Sequence, residues 1–410
     1  MKRYVIVGNG AAATGCIEGI RSADKTGEIT VISEEKHEVY CRPLISYYLE
    51  GKTDLEKMRY RDPDFYDRMD CRVLYGRKAV RIDKGQKEVM LDDGSVLPYD
   101  SLCLATGSSP FVPPFAGLDS VTQKYSFMTL DDALALEKAI GETSRVLIVG
   151  AGLIGLKCAE GIFERVKSVT VCDLADRVLS SILDADCAAL MQKQLEDHGV
   201  CFLLKDSVER FDGNRAHMQS GETVEFDVLV LAVGVRPNID LQKEIGGEVN
   251  RGILVDHHME TSIRNIYAAG DCTEGEDISS GQKKVLAILP NAVLQGFTAG
   301  QNMAGNPVVF DKGIPMNSIG FFGLYSQTAG SYEGEVYEEK TEHSIKRLFT
   351  KNGILKGFLL IGCNERAGIY TSLIREKTPL SSVDFELLKT GATMAAFSAE
   401  ARKKKFGEVV

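Results

Sequence analysis

The sequence lacks any closely spaced pair of cysteines. Its ten cysteines are scattered over 410 residues, and the shortest spacing is 14 residues, as between Cys158 and Cys172. No C-x-x-C or C-x-x-x-x-C motif is present, and no cysteine spacing fits a structural zinc site. The sequence therefore excludes a dithiol pair built from neighbouring cysteines. Scattered cysteines are typical of proteins from a reducing compartment.

Several other features are also missing. The six histidines include no H-x-x-x-H pair, so we assign no metal site. No apolar run approaches the roughly 18 residues of a membrane-spanning helix. The formal net charge is −10, which argues against nucleic acid as a main partner, because a phosphate backbone attracts a basic surface. We therefore expect a cytoplasmic protein that binds neither membranes nor nucleic acids.

What the sequence does contain is two glycine motifs, each directly after an apolar strand. The first, GNGAAA from Gly8, follows a predicted strand at 4–7, and the second, GAGLIG from Gly150, follows one at 146–149. Such a motif turns the chain tightly, lets the backbone approach a pyrophosphate and opens a helix whose N-terminal amides face the phosphates. One dinucleotide needs one such turn, so the sequence predicts two bound dinucleotides.

An acidic residue follows each motif at the end of the next apolar strand. Glu34 comes after the strand at 29–32, and Asp173 comes after the strand at 169–172. The offsets from the first glycines are 34 − 8 = 26 and 173 − 150 = 23 residues. They are near the roughly 20 residues expected for a carboxylate that binds ribose hydroxyls. Both units are therefore complete dinucleotide-binding patterns.

Further landmarks divide the chain into domains. A stretch rich in proline and glycine at 108–117 predicts a boundary near residue 112, and residues 129–132 have the form of a capping box. An apolar strand ends in Gly270-Asp271, and Pro290 marks the first turn of a helix at 289–304. From about residue 314, we predict a separate α/β domain with strands at 317–324, 344–349 and 354–361 and helices at 367–375 and 383–389.

Six motifs in this order resemble those of the FAD- and NAD-dependent pyridine nucleotide:disulfide oxidoreductase superfamily. They are GNGAAA, YCRPL at 40–44, LATG at 104–107, GAGLIG, GVRPN at 234–238 and YAAGD at 267–271. The resemblance covers essentially the whole chain and implies an α/β fold with two Rossmann-like domains, similar to glutathione reductase. It implies an FAD-binding domain at 1–112 and 241–313, an inserted NAD-binding domain at 113–240 and a C-terminal α/β interface domain at 314–410.

The resemblance also implies which residues hold each cofactor. Asp271 would bond the ribityl chain of the flavin, and the helix that opens at Pro290 would aim its positive end at the flavin edge. Asp173 would accept a ribose hydroxyl and so favour NAD over NADP. The full FAD set is Gly8, Gly10, Ala12, Ala13, Glu34, Arg42, Pro43, Val80, Ala105, Thr106, Gly107, Gly270, Asp271, Leu289, Pro290 and Asn291. The NAD set is Gly150, Gly152, Leu153, Ile154, Gly155, Asp173 and Gly234.

Members of the superfamily differ in where electrons go after the flavin. Coenzyme A disulfide reductases use one cysteine beside the flavin, and the nearest candidate here is Cys41. When Tyr47 and Tyr48 are aligned with the tyrosines of that segment, Cys41 misses the expected position by two residues. The Arg-Pro-Leu sequence at 42–44 instead resembles NADH:rubredoxin oxidoreductases, nitrite reductase flavin modules and flavin subunits that serve small ferredoxins.

We therefore expect an FAD-dependent NAD(H) oxidoreductase that moves hydride between NADH and FAD and single electrons between FAD and a ferredoxin or rubredoxin. Three alternatives stay open: an NADH oxidase that reduces oxygen to peroxide or water, a coenzyme A disulfide reductase that uses Cys41, and a non-catalytic NAD or flavin sensor. No catalytic residue is certain, and the candidates are Cys41, Lys157 and Tyr47. Lys157 stands where relatives have a glutamate, and it either tunes the flavin or braces its helix. A homodimer is also open.

Overall fold

The computed structural model describes residues 1–363 and 365–406. The chain forms two compact units. One comprises Met1–Ser181, Leu195–Gly275 and Lys284–Phe310, and the other comprises Ile182–Gln194, Glu276–Lys283 and the chain from Asp311 onward. The three-domain boundaries expected from the sequence remain a prediction.

The helices and strands are named in chain order. The first part has β1 (Arg3–Val7), α1 (Ala11–Ala23), β2 (Glu28–Ser33), α2 (Ile45–Leu49), α3 (Phe65–Arg68), β3 (Cys71–Tyr75), β4 (Ala79–Asp83), β5 (Glu88–Leu91), β6 (Val96–Pro98), β7 (Ser101–Leu104) and β8 (Ser108–Pro110). The middle part has β9 (Lys124–Tyr125), α4 (Leu130–Ala139), β10 (Arg145–Val149), α5 (Leu153–Ile162), β11 (Ser168–Asp173), α6 (Ala185–Asp197), β12 (Cys201–Leu204), β13 (Val208–Asp212), β14 (Arg215–Met218), β15 (Thr223–Glu225), β16 (Val228–Leu231) and β17 (Val235–Pro237).

The remaining elements complete the fold. They are α7 (Asp240–Glu244), β18 (Ile253–Leu254), β19 (Ile266–Ala268), β20 (Thr273–Asp277), β21 (Gln282–Lys284), α8 (Leu289–Met303), β22 (Met316–Phe321), β23 (Leu324–Gly330), β24 (Glu335–Lys340), β25 (Ile345–Lys351), β26 (Ile354–Ile361), α9 (Ala367–Arg375), α10 (Phe385–Thr390) and α11 (Ala399–Phe406). Short 3-10 turns lie at Arg42–Leu44, Leu118–Ser120, Phe163–Arg165, Leu380–Ser382 and Met394–Ala396.

Two five-stranded parallel sheets share one strand arrangement. Their orders are β19-β7-β1-β2-β3 and β9-β16-β10-β11-β12. In each sheet, the strand that precedes the glycine motif is central. Strands β1 and β10 are buried along four of their five residues, as expected where helices cover both faces of a parallel sheet. The predicted α/β fold with two Rossmann-like domains is confirmed.

Smaller sheets accompany the two large ones. Strands β4-β5-β6 and β13-β14-β15 each form a three-stranded antiparallel sheet, and β18-β20-β21 form a third sheet. Strand β8 pairs antiparallel with β17, with Ser109 opposite Arg236. The chain therefore enters and leaves the second nucleotide-binding unit through two strands that lie side by side.

The C-terminal unit is built on a five-stranded sheet with the order β22-β23-β26-β25-β24, in which every pairing is antiparallel. Helix α9 contributes Tyr370, Leu373 and Ile374 to a core that also contains Leu348 and Phe358. The bounds predicted for β26 and α9 are confirmed. None of the helices in the described ranges is long and apolar enough to cross a membrane.

Helices α1 and α8 pack in parallel, and their backbones are in van der Waals contact at glycine residues. A methyl group at Gly15 would lie 2.3 Å from the carbonyl oxygen of Val293, and one at Gly296 would lie 2.0 Å from that of Ala12. The same relation recurs further along, where a methyl at Gly300 would lie 2.2 Å from the Cys16 oxygen. This packing brings the N-termini of both helices to the same end of the first sheet.

Candidate active site

The first glycine turn is fixed by the strands around it. Gly8 follows β1 with φ at +110°, a conformation that side chains rarely adopt. Its amide donates to the carbonyl oxygen of Ile32 at 2.8 Å, at the end of β2. A methyl group on Gly8 would lie 2.1 Å from the carbonyl oxygen of Ala105, just after β7. Backbone from three strands therefore meets at this turn.

Next to this turn the structure leaves open space and an unpaired hydrogen-bond donor. Gly10 caps α1, and a methyl group there would meet nothing within 4 Å. The side-chain oxygen of Asn9 accepts a hydrogen bond from the Tyr66 hydroxyl at 2.6 Å, whereas its buried Nδ2 has no partner among the described residues. A free donor beside the helix N-terminus fits an anionic oxygen such as that of the FAD pyrophosphate.

The start of α8 joins the same site. A methyl group on Gly270 would lie 2.9 Å from the Cβ of Ala12 and 3.7 Å from the Cβ of Ala292, so the first turns of α1 and α8 meet at Gly270. Pro290 lies in the first turn of α8, and Asn291 is fully buried. Two helix N-termini therefore direct positive dipole ends to one place, which suits a negatively charged cofactor.

A charged cluster flanks Asp271. Burial raises the pKa of the Asp271 carboxyl, and the charge of Arg42 opposes that rise. The Arg42 guanidinium donates to the Glu35 carboxylate at 2.6 Å and to the Met128 carbonyl at 2.9 Å. The Tyr40 hydroxyl donates to the same carboxylate at 2.7 Å. Sequence analysis missed Glu35 as the residue that orients Arg42, although it directly follows Glu34.

The other predicted FAD residues lie either at the surface or in the segments that surround the first sheet. Glu34 is exposed and pairs with Lys78 at 3.0 Å, and Val80 is 42% exposed, so both lie at the surface. The carbonyl oxygen of Thr106 instead accepts from the Asn238 side chain at 2.8 Å. Asn238 of the GVRPN motif thus holds the segment after β7. The remaining positions lie in the elements already described: Ala13 in α1, Pro43 in the 3-10 turn, Gly107 before β8 and Leu289 in α8.

The second glycine turn repeats the geometry of the first. Gly150 has φ at +118°, and its amide donates to the Cys172 carbonyl at 2.8 Å. A methyl on Gly150 would lie 2.3 Å from the Ala232 carbonyl oxygen. In the first unit, a methyl on Gly8 would lie similarly close to the Ala105 carbonyl oxygen, at 2.1 Å. Gly152 caps α5 and faces open space, whereas a methyl on Gly155 would lie 2.0 Å from the Gly150 oxygen. Of the three motif glycines, Gly152 therefore faces open space, whereas Gly150 and Gly155 face backbone.

Asp173 lies at the end of β11 and is bound by the backbone around it. Its two carboxylate oxygens accept from the amides of Ala151 and Ala175, each at 2.7 Å. Arg177 donates to Asp176 at 2.7 Å. Asp173 thus connects the glycine turn to the loop that follows the second strand. The other predicted NAD residues lie at the start of α5, Leu153 and Ile154, and before β17, Gly234.

The fold brings Lys157 and Tyr47 together with Glu160, a residue that sequence analysis missed. Lys157 donates to Glu160 at 2.6 Å, and their side chains are only 14% and 7% exposed. The Lys157 ammonium also lies 5.1 Å from the centre of the Tyr47 ring, within the range of a cation–π interaction. Lys157 and Glu160 are three residues apart on α5, a spacing that pairs side chains on a helix.

Cys41 lies in an environment that disfavours a thiolate. It is half-buried at the start of the 3-10 turn, and burial raises the pKa of its thiol. The neighbouring Arg42 directs its guanidinium to Glu35 and Met128. No group of three histidine, cysteine or acidic side chains in residues 1–363 and 365–406 is arranged to hold a metal ion.

The profile of the family described as pyridine nucleotide-disulphide oxidoreductase matches residues 2–296. The chain belongs to this family. Both glycine turns and the Asp271 region lie inside the matched segment. As a pyridine nucleotide-disulphide oxidoreductase, the protein is an FAD-dependent NAD(P)H oxidoreductase, and its cofactors are FAD and NAD(H). The resemblance to this superfamily that the sequence motifs indicated is confirmed.

Curated relatives extend over most of the chain. The epsilon subunit of NADH-dependent phenylglyoxylate dehydrogenase from Aromatoleum evansii is 35% identical over 92% of this chain and 93% of its own length. The assimilatory nitrate reductase electron transfer subunit of Bacillus subtilis is 31% identical over 92% of this chain, which spans 50% of that protein. An NADH oxidase of Methanocaldococcus jannaschii is 36% identical over 74% of this chain and 70% of its length.

Solved structures share the fold. The putidaredoxin reductase–putidaredoxin complex has a TM-score of 0.86 at 24% identity and covers 96% of each chain. NADH:rubredoxin oxidoreductase from Clostridium acetobutylicum has a TM-score of 0.74 at 24% identity and covers 93% of this chain and 95% of its own. At these identities, the likeness shows the fold alone.

Proposed function

We propose that the protein oxidises NADH and delivers the electrons one at a time to a small iron–sulfur carrier of the ferredoxin or rubredoxin type. The reverse direction uses the same site. Bound FAD supplies an acceptor for the hydride of NADH and a donor of single electrons. The sequence contains no closely spaced cysteine pair that could take electrons from the flavin, which favours an external acceptor.

The observation that carries this proposal is the environment of Cys41. A cysteine that reacts with a disulfide needs a stabilised thiolate, which neighbouring cations or helix N-termini provide. Here burial raises the pKa of the thiol, and the guanidinium of Arg42 is taken up by Glu35. Both features argue against the alternative of a coenzyme A disulfide reductase that uses Cys41.

The residues around the site would bind and orient the cofactors. Gly10 and Asn9 would hold the FAD pyrophosphate, and the N-termini of α1 and α8 would stabilise negative charge on the cofactor. Gly152 would admit the NAD pyrophosphate, and Asp173 would stand at its ribose. Hydride transfer needs alignment more than acid–base groups, so positioning is the main contribution of the protein. The buried Lys157–Glu160 pair would fix α5 against α2 beside Tyr47.

The names of relatives support an electron-transfer role. The Bacillus subtilis relative is called an electron transfer subunit, and the Aromatoleum evansii relative is a subunit of an NADH-dependent dehydrogenase. Both names suit a flavin module that works with separate redox partners. We also propose a cytoplasmic location, because all ten cysteines are free thiols, which is typical of a reducing compartment.

One alternative has a specific observation in its favour. The Methanocaldococcus jannaschii relative, at 36% identity, is named an NADH oxidase. The present protein would then pass electrons to oxygen and form peroxide or water. The third alternative expected from the sequence, a non-catalytic sensor, is wrong, because the family match makes the protein an FAD-dependent NAD(P)H oxidoreductase.

Reoxidation by different acceptors, after anaerobic reduction with NADH, distinguishes these functions. The FAD-loaded protein is reduced with NADH, and its reoxidation by ferredoxin, rubredoxin, oxygen and coenzyme A disulfide is timed. Cys41→Ser is compared with Cys201→Ser, which alters an exposed cysteine. We expect fastest reoxidation by an iron–sulfur carrier in the wild type and both variants. Fastest reoxidation by oxygen supports the oxidase, and exclusive reoxidation by the disulfide with loss in Cys41→Ser supports the disulfide reductase. Failure of NADH to bleach the flavin would contradict the hydride transfer on which the proposal depends.

A further inference from the structure

A cavity of about 530 Å³ lies in the C-terminal unit. Its lining residues fall between Lys312 and Glu376, outside both glycine motifs. It opens between helix α9 and strands β22, β23 and β26. Its volume is within the roughly 300–1,000 Å³ of small-molecule sites. One face of α9 contributes Gly368, Thr371, Ser372 and Arg375, which are spaced by three or four residues. Such spacing aligns side chains on one side of a helix, so a single helical face lines the cavity.

Arg375 is half-buried, lines this cavity and forms no salt bridge with any of the described residues. Its Nε is buried and has no hydrogen-bond partner among the described residues. Its Nη2 lies 3.5 Å from the sulfur of Met316, and a thioether is only a weak acceptor. Burial lowers the pKa of the Arg375 guanidinium, with no opposing contribution from a carboxylate. A buried guanidinium nitrogen normally has a hydrogen-bond acceptor, so this position suits an anion that none of the described residues supplies to it.

The rest of the lining is part polar and part apolar. Asn317 and Thr328 are joined by a 3.4 Å hydrogen bond and supply amide and hydroxyl groups. Met316, Phe358 and Ala367 supply apolar surface. Two exposed charges, on Lys312 and Glu376, also line the cavity, and Glu376 accepts from Ser372 at 2.8 Å. The chemistry of the lining therefore suits a molecule that has both an anionic group and an apolar part.

We propose that this cavity binds a small organic acid, whose carboxylate pairs with Arg375 and whose apolar part lies against Met316, Phe358 and Ala367. The bidentate fork of a guanidinium matches a carboxylate well. The proposal does not depend on the electron acceptor of the protein. Binding to this site is measured as an equilibrium, separately from NADH oxidation.

The test is calorimetric titration of the full-length, FAD-loaded protein with hexanoate in the presence of saturating NAD⁺, which keeps the nucleotide sites filled. Hexanamide, which has no charge, and inorganic phosphate, which has no apolar part, are titrated in parallel. We expect hexanoate to bind more tightly than either. Arg375→Met should weaken hexanoate binding about 10-fold or more, as for the loss of a charge-assisted hydrogen bond. Arg375→Lys, which keeps the charge, should lose less.

Arg366→Gln is the matched control, since Arg366 is exposed at the start of the same helix and does not line the cavity. It should bind hexanoate like the wild type. Because Nε of Arg375 has no partner to lose, Arg375→Met should keep the wild-type melting temperature or exceed it. Absence of hexanoate binding, equal binding of hexanamide, tighter binding of phosphate, or unchanged binding in a folded Arg375→Met would each overturn the proposal.

Discussion

The glycine turns allow the two nucleotide sites to be tested one at a time. A methyl group on Gly152 would meet no protein atom within 4 Å, and the residue has φ at −81°, which alanine adopts freely. Gly152→Ala should therefore leave the fold intact. The added methyl would instead occupy space that the NAD pyrophosphate must approach. An ill-fitting methyl group costs about 1–3 kcal/mol of binding, which corresponds to roughly 10- to 200-fold.

Gly155 should behave differently, although it lies only three residues away. A methyl there would lie 2.0 Å from the Gly150 carbonyl oxygen, so the turn would have to open. Overpacking of this kind costs about 1–3 kcal/mol of stability. Gly155→Ala should therefore lower the melting temperature and weaken NADH binding, whereas Gly152→Ala should change NADH binding alone.

The assay is the NADH dependence of flavin reduction, measured by stopped flow on variants with known FAD content. Gly10→Ala is the counterpart in the first turn and should lose FAD instead, because that position is equally open. Gly141→Ala, also open but outside both motifs, is the control and should match the wild type. The reasoning is refuted if Gly152→Ala binds NADH normally, or if it loses FAD rather than NADH affinity.

Three further predictions concern charged side chains of the two nucleotide-binding units. Lys157→Met removes the cation that donates to the buried Glu160 and should reduce the free energy of unfolding by about 3–5 kcal/mol in urea, more than the double variant with Glu160→Leu; equal losses would contradict this. Asp271→Asn should raise the unfolding free energy of the FAD-free protein at neutral pH, because burial raises the pKa of this carboxyl and penalises its charge. That gain should shrink as the pH falls through the raised pKa toward 3.8, where the wild type also becomes neutral, and a constant gain would disprove the assignment. Asp173→Ala should raise the NADH KM about 10-fold or more, since charged hydrogen bonds contribute about 1.5–3 kcal/mol, and an unchanged KM would exclude a role at this turn.

The parts of the fold that sequence patterns predicted are local ones. A strand, a glycine turn and a helix follow one another within about 20 residues, so their residue order is enough to identify them. The capping box at Thr129 and Asp132 is likewise confirmed, since cap and partner are three residues apart. Helix α8 was expected at 289–304 and runs over Leu289–Met303.

The parts that were missed depend on contacts between distant segments or on weak patterns. Strand β24 is rich in glutamate and largely exposed at the edge of its sheet, so it shows little of the apolar alternation that marks a strand. The pairing of Asn9 with Tyr66 joins residues far apart in the chain, and no spacing rule predicts it. The same holds for Ala232, whose carbonyl oxygen closes the second turn from the neighbouring strand.

Lys157 shows the limit of comparison by position. The expected glutamate is absent at that position, but Glu160 supplies a carboxylate one helical turn later. A lysine–glutamate pair is therefore present within one turn of α5. Only the structure shows that both side chains are buried together.

The central claim is that electrons leave the flavin for an external iron–sulfur carrier without using Cys41. The most direct measurement is the anaerobic rate at which NADH reduces a ferredoxin or rubredoxin through Cys41→Ser, relative to the wild type. We predict equal rates within about twofold, because burial raises the pKa of the Cys41 thiol and so disfavours the reactive thiolate. Loss of carrier reduction in a Cys41→Ser protein that retains its FAD would contradict the account.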